Sequence, residues 1–88
     1  MDTPICILDI ETTGFEPGEA EIIELFILKV TNGEIIDEYY SLFKPTAPIT
    51  NYKIHGITDE KVEHSPYISE KTHEILNFID GCVLLGHN

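Results

Sequence analysis

The sequence predicts an α/β domain built on a mixed sheet, with the element order β-β-β-α-β. Three observations lead there. Short runs rich in Ile, Val, Leu and Phe recur along the first half of the chain. An Asn32-Gly33 pair sits between two of them, and that dipeptide is the strongest short hairpin signal because both residues accept positive φ. A stretch of helical periodicity then leads into a last apolar run, which a helical crossover returns parallel to the first.

Pro4 to Ile10 reads as the first buried strand, and Gly14 to Gly18, with Pro17 between, as a loop. Ala20 to Val30 is the second strand, and Glu34 to Phe43 is its antiparallel partner across the turn. Pro45 and Pro48 lack an amide donor and end that pairing, so Lys44 to Asn51 connects. Thr58 followed by Asp59 and Glu60 has the form of a helix start, a hydroxyl cap with acids at the positive end of the dipole, and Ser65-Pro66 keeps that helix short. A second helix is expected from about Ser69 to Asp80, since Ile68, Thr72, Ile75 and Ile79 share one helical face and Gly81 supplies a left-handed stop. Lys71, Glu74 and Asn77 lie off that stripe. Cys82 to Leu85 is the fourth strand.

The chain of 88 residues is one small domain at most, and 42% hydrophobic with 24% charged residues is the composition of a soluble globular protein. Its apolar runs are too short for a bilayer, and its N-terminus lacks signal-peptide character, so a cytoplasmic protein without membrane partners is expected. Five lysines against sixteen acids give a net charge of -11, which excludes general adhesion to nucleic-acid backbones but not local catalysis on them. Cys6 and Cys82 stand far apart in sequence within apolar surroundings, so packing is the expected role of each.

The chemistry-bearing segment is Leu8-Asp9-Ile10-Glu11-Thr12-Thr13-Gly14. In a strand, side chains two apart project from the same face, so Asp9 and Glu11 share one patch while Ile10 turns to the other. Two acids so placed repel unless a cation sits between them, and oxygen donors suit a hard divalent ion. A bare Asp-x-Glu is more often a solvated strand end, so the context decides. The remaining polar features have plainer readings. Tyr39 and Tyr40 alternate between core and exterior; Glu34, Asp37 and Glu38 form a solvated face; His64 and His73 are surface residues; His87 organises the end of the fourth strand.

Four segments in order resemble the DnaQ-like 3′-5′ exonucleases of the DEDD class. They are the segment above, then Glu21-Ile22-Ile23-Glu24, then Ile54-His55-Gly56-Ile57-Thr58-Asp59-Glu60, and last Val83-Leu84-Leu85-Gly86-His87-Asn88. One departure is Phe26-Ile27, where the family usually carries a small Gly-Ala pair. The resemblance implies a ribonuclease-H-like sheet with the fourth strand beside the first, on the side opposite the hairpin. It implies that Asp9 and Glu11 are catalytic carboxylates binding two divalent cations, Mg2+ or Mn2+. It also implies that Ile10, Thr12, Thr13, Ile54 and His55 contact the terminal nucleotide of a single-stranded 3′ end, DNA or RNA, with polymerase subunits as further partners.

The family's two later aspartates and its general base have no counterpart here, and none of His55, His64, His73 and His87 occupies the catalytic histidine's position. Residues 1–88 are therefore expected to be the N-terminal part of one exonuclease domain whose last strand and helices are missing. Alone, such a chain is expected to be poorly stable, to associate through an exposed sheet edge, and to hydrolyse DNA negligibly. The alternatives are a catalytically silent module binding nucleic acid or a polymerase, and a structural fragment that complements a separate C-terminal piece.

Overall fold

The computed structural model describes residues 3–14 and 18–87, with the side chain of His87 left aside. Residues 15–17, within the expected loop, and Asn88 lie outside the described residues. Four strands, β1 (Ile5–Thr12), β2 (Ile22–Thr31), β3 (Glu34–Leu42) and β4 (Val83–His87), form one sheet in the order β3-β2-β1-β4. The hairpin and the β1/β2 pair are antiparallel, and β4 runs parallel to β1. This is the expected topology. The turn at Asn32-Gly33 carries φ of 54° and 77°, the paired positive angles that a two-residue hairpin needs.

One face of the sheet is covered. Cys6, Leu25 and Ile27 are buried there, flanked by Leu8 and Ile10, beneath the helix α2 (Thr72–Ile79). A single 3-10 turn, Ile68–Lys71, leads into α2, and Gly81 at φ 75° ends the excursion, as expected. The helical stripe differs from expectation at one position: Ile68, Ile75, Phe78 and Ile79 pack on the core, whereas Thr72 is exposed and uses its hydroxyl on the Ile68 carbonyl at 3.3 Å. Lys29 sets its ammonium 4.3 Å from the centre of the Phe78 ring, and Tyr39 stacks on the same ring at 5.8 Å.

The other sheet face is largely open. Ile5, Tyr40, Val83 and Leu85 are each exposed on it, so the first strand is buried on one side only, and β4 and β3 form the two edges of the sheet. The alternation expected for the tyrosines holds: Tyr39 lies toward α2 while Tyr40, 53% exposed, lies on the open face beside Phe26 at 6.2 Å.

The connection between β3 and α2 departs most from expectation. No continuous helix starts at Thr58. Residues 59–64 form successive turns closed by bonds of three-residue span, Lys61 to Thr58, Glu63 to Glu60 and Ser65 to Val62. The Thr58 hydroxyl does accept the Lys61 amide at 3.4 Å, while the acid beside it, Asp59, turns its Oδ1 to the Ile49 amide at 3.0 Å and anchors the preceding loop. Ile57 and Val62 are drawn into a second small core with Ile23 and Ile49, a packing that a regular helix over this segment would not present. The helical turn instead falls earlier, as α1 (Tyr52–His55), ended by Gly56 at φ 74°.

Candidate active site

Register fixes the geometry. Asp9 lies opposite Phe26 on β2 and His87 on β4; Glu11 lies opposite Glu24. Because paired residues project to the same side, Asp9 and Glu11 both stand on the open face, while Leu8 and Ile10 pack into the covered one. Asp9 is exposed and Glu11 half-buried, so both carboxylates reach solvent at the C-terminal end of β1. The same-face placement expected from their spacing is what the pairing gives. Ile10 offers this side only its main chain.

Glu24 is held by the Tyr40 hydroxyl, which donates to its Oε2 at 2.7 Å. The bond to the carboxylate, with some burial behind it, pushes the Tyr40 phenol up to about 12. Glu24 is thereby tied to β3 through Tyr40. Among the described residues no group of three or more His, Cys, Asp and Glu side chains is placed to hold a metal ion. Asp9 and Glu11 supply hard oxygen donors, so they fit a divalent cation in kind and as part of a larger ligand set.

Past Glu11 the ladder slips. Glu11 pairs with Glu24 but Thr12 with Ile22, leaving Ile23 as the extra residue of a bulge, a device that re-aims side chains at a strand end. Ile23 is fully buried in the second core, which fixes the bulge. Beyond it, Thr13 donates its amide to the Glu21 carbonyl at 2.9 Å and accepts the Glu21 amide on its hydroxyl at 3.0 Å. The Thr13 amide is therefore committed to the main chain, so any contact of Thr13 with a nucleotide uses other atoms. Thr12 turns its hydroxyl onto the Gly14 carbonyl at 2.7 Å.

The α1 turn is brought against this strand end. Ile54 is 65% exposed, an apolar side chain with no core to enter, and His55 is half-buried beside it. His55 Nδ1 accepts the Ile57 amide at 3.0 Å, the local satisfaction expected of a turn histidine, and Nε2 meets Asn51 Oδ1 at 3.1 Å. Asn51 in turn donates to the Thr12 carbonyl at 3.0 Å. Sequence reasoning missed Asn51, since a lone loop Asn carries no signal of what it will reach 39 residues away.

A mixed sheet in the order β3-β2-β1-β4, with its last strand parallel to its first, is the architecture of ribonuclease-H-like exonuclease domains. Residues 6–88 match the Exonuclease family model, and the chain belongs to that family. It is 39% identical over 89 residues to the PolC-type DNA polymerase III of Thermotoga maritima, covering 99% of this chain and 6% of that protein. The corresponding polymerase of Halalkalibacterium halodurans is 38% identical over 90 residues, again with 6% of its length covered. The chain thus spans a small part of those relatives.

Among solved structures, Exonuclease X in complex with 5′ overhanging duplex DNA has a TM-score of 0.73 at 29% identity, covering 96% of this chain and 48% of that one. The nuclease domain of 3′hExo, a DEDDh family member bound to rAMP, has a TM-score of 0.77 at 23% identity, covering 99% and 52%, and supports the fold alone. Exonucleases of this class work with divalent metal ions. Among the described residues no helix is long and apolar enough to cross a membrane.

Proposed function

We propose that this chain supplies the N-terminal part of a 3′-5′ exonuclease domain that removes terminal nucleotides from DNA, in the proofreading manner, as nucleoside 5′-monophosphates. The observation that carries the reading is the shared placement of Asp9 and Glu11 on the open face at the end of β1, inside a family-matched sheet. In this reading the two carboxylates take part in holding two divalent cations, Mg2+ or Mn2+. Bound there, such ions would activate the attacking water and neutralise the phosphate.

The protein's own residues prepare the substrate. Ile54 gives the terminal base or sugar an apolar surface, and His55 borders it from the half-buried side. The main chain at Ile10 and Thr12 and the ordered Thr13 turn border the terminal sugar, where the bulge sets their direction. The net charge of -11 keeps backbone adhesion weak, so the chain end and not the duplex body is what the site holds. The likeness to PolC-type DNA polymerase III favours association with a DNA polymerase, and a cytoplasmic location is part of the same reading. The exposed β4 edge and the open face are completed by further polypeptide or, in its absence, by self-association.

The test is Asp9→Asn and Glu11→Gln in the natural polypeptide that carries these residues, assayed on 5′-labelled single-stranded DNA with Mg2+. Each is expected to lower the rate of 3′-end shortening by about 10³-fold, on the order of what loss of a major electrostatic group costs. Shortening that proceeds at the wild-type rate in both variants overturns the proposal.

A further inference from the structure

Asn51 stands outside every segment that marks the family, yet its two amide atoms reach both halves of the site. The Ile57 amide can only donate, so His55 Nδ1 accepts it and the ring proton sits on Nε2. Asn51 Oδ1 then accepts that Nε2–H, and the other end of the same amide donates to the Thr12 carbonyl, one residue past Glu11. The orientation is unique: a flipped amide would set donor against donor at His55 and acceptor against acceptor at Thr12.

We infer that Asn51 is a positioning residue that ties His55 to the strand end bearing Glu11 by accepting the Nε2–H that the Ile57 amide fixes on the ring. This deepens the nucleotide role proposed for His55 and rests on it. The linkage makes two things one event: the ring that borders the nucleotide and the peptide that sets Glu11 move together or not at all. Two further contacts make the linkage stiff. Ile54 donates its amide to the Asn51 carbonyl at 3.0 Å, so Asn51 also opens α1, and Gly56 closes that turn in the left-handed region.

The experiment uses the natural polypeptide, its Asn51→Asp and Asn51→Ala variants, 15N NMR of the His55 ring, and titration with thymidine 5′-monophosphate and Mg2+. The wild type is expected to show the Nε2–H tautomer alone. Asn51→Asp keeps the acceptor, so it keeps that tautomer, but it loses the donor to Thr12 and shifts the Thr12 and Thr13 resonances. Asn51→Ala loses both partners while the Ile57 amide still keeps the ring proton on Nε2, so the His55 Nε2–H, Thr12 and Thr13 resonances shift and the monophosphate affinity falls by about tenfold, the worth of one well-placed hydrogen bond. Unshifted His55 and Thr12 resonances with unchanged affinity in Asn51→Ala overturn the inference. So does an affinity loss that merely tracks thermal stability while those resonances stay fixed. Should Asn51→Ala fail to fold, the near-isosteric Asn51→Asp decides by the Thr12 and Thr13 resonances. If the wild type binds no monophosphate, the functional reading falls, and the His55 and Thr12 resonances alone still decide the role of Asn51.

Discussion

Ile23→Ala offers the sharpest test of how the fold holds the site. Ile23 is fully buried, is the extra residue of the bulge opposite Glu11 and Thr12, and packs on Ile49, Ile57 and Val62. Those three contacts come from the segment that also carries Asn51, Ile54 and His55, so one side chain clamps that segment to the strand end. Truncation to Ala removes three carbons, about 2.4 kcal/mol at roughly 0.8 per methylene. The cavity left behind brings the expected loss to about 3 to 4 kcal/mol. Against a total stability of roughly 5 to 15 kcal/mol, such a loss should move a urea midpoint far beyond error. The control is Ile36→Ala on β3, where the side chain is 55% exposed and the change should stay within about 0.5 kcal/mol. Urea unfolding followed by circular dichroism gives both numbers, and Thr12 and Thr13 amide shifts report whether the site moves with the core. A loss under about 1 kcal/mol for Ile23→Ala, or the same loss in both variants, would refute the reasoning.

Other outcomes follow from single contacts. Tyr39 and Tyr40 have phenols raised to about 12, Tyr39 chiefly by burial and Tyr40 chiefly by its bond to Glu24. Above an unfolded value of about 10, the folded state therefore binds more protons than the unfolded one. Both phenols should titrate late in ultraviolet absorbance, and stability should fall as pH rises from about 10 to 12; Glu24→Gln should bring Tyr40 back toward its ordinary range. Cys6 is buried, and burial together with the neighbouring Cys82 thiol pushes it up to about 11, so an aromatic disulfide reagent at neutral pH should label Cys82 and spare Cys6 until denaturant is added. Val83 and Leu85 are each 55% exposed on the open face, so a Val83→Lys, Leu85→Lys double variant of the 88-residue chain should sediment at lower mass than the wild type. Gly56→Ala forces a β-carbon into φ 74° and should cost about 1 kcal/mol in thermal unfolding, with nothing else near enough to clash.

What the sequence made legible was what is local. The direction of Asp9 and Glu11 depends only on strand alternation, and the hairpin only on two residues that tolerate positive φ, so the residues alone suffice for both. Thr58 makes its local cap onto the Lys61 amide, but the segment after it follows nonlocal partners, Asp59 on the Ile49 amide and Val62 in the core with Ile23. Thr72 departs from the stripe, its hydroxyl bonded locally to the Ile68 carbonyl, while Phe78 joins Ile75 and Ile79 on the core. The hardest part to see was the joint between the halves of the site. Its polar tie spans 39 residues from Asn51 to Thr12, and its apolar clamp reaches from Ile23 to Val62. Neither has a period, a cap or a turn residue to announce it. The recognised family segments therefore mark β1, the start of β2 and the α1 turn, but the polar tie that joins β1 to the α1 turn runs through Asn51, outside all of them. Changes at Asn51 should consequently disturb nucleotide binding more than changes at the exposed acids of β3, Glu34, Asp37 and Glu38, although each alters the sequence by a single polar side chain.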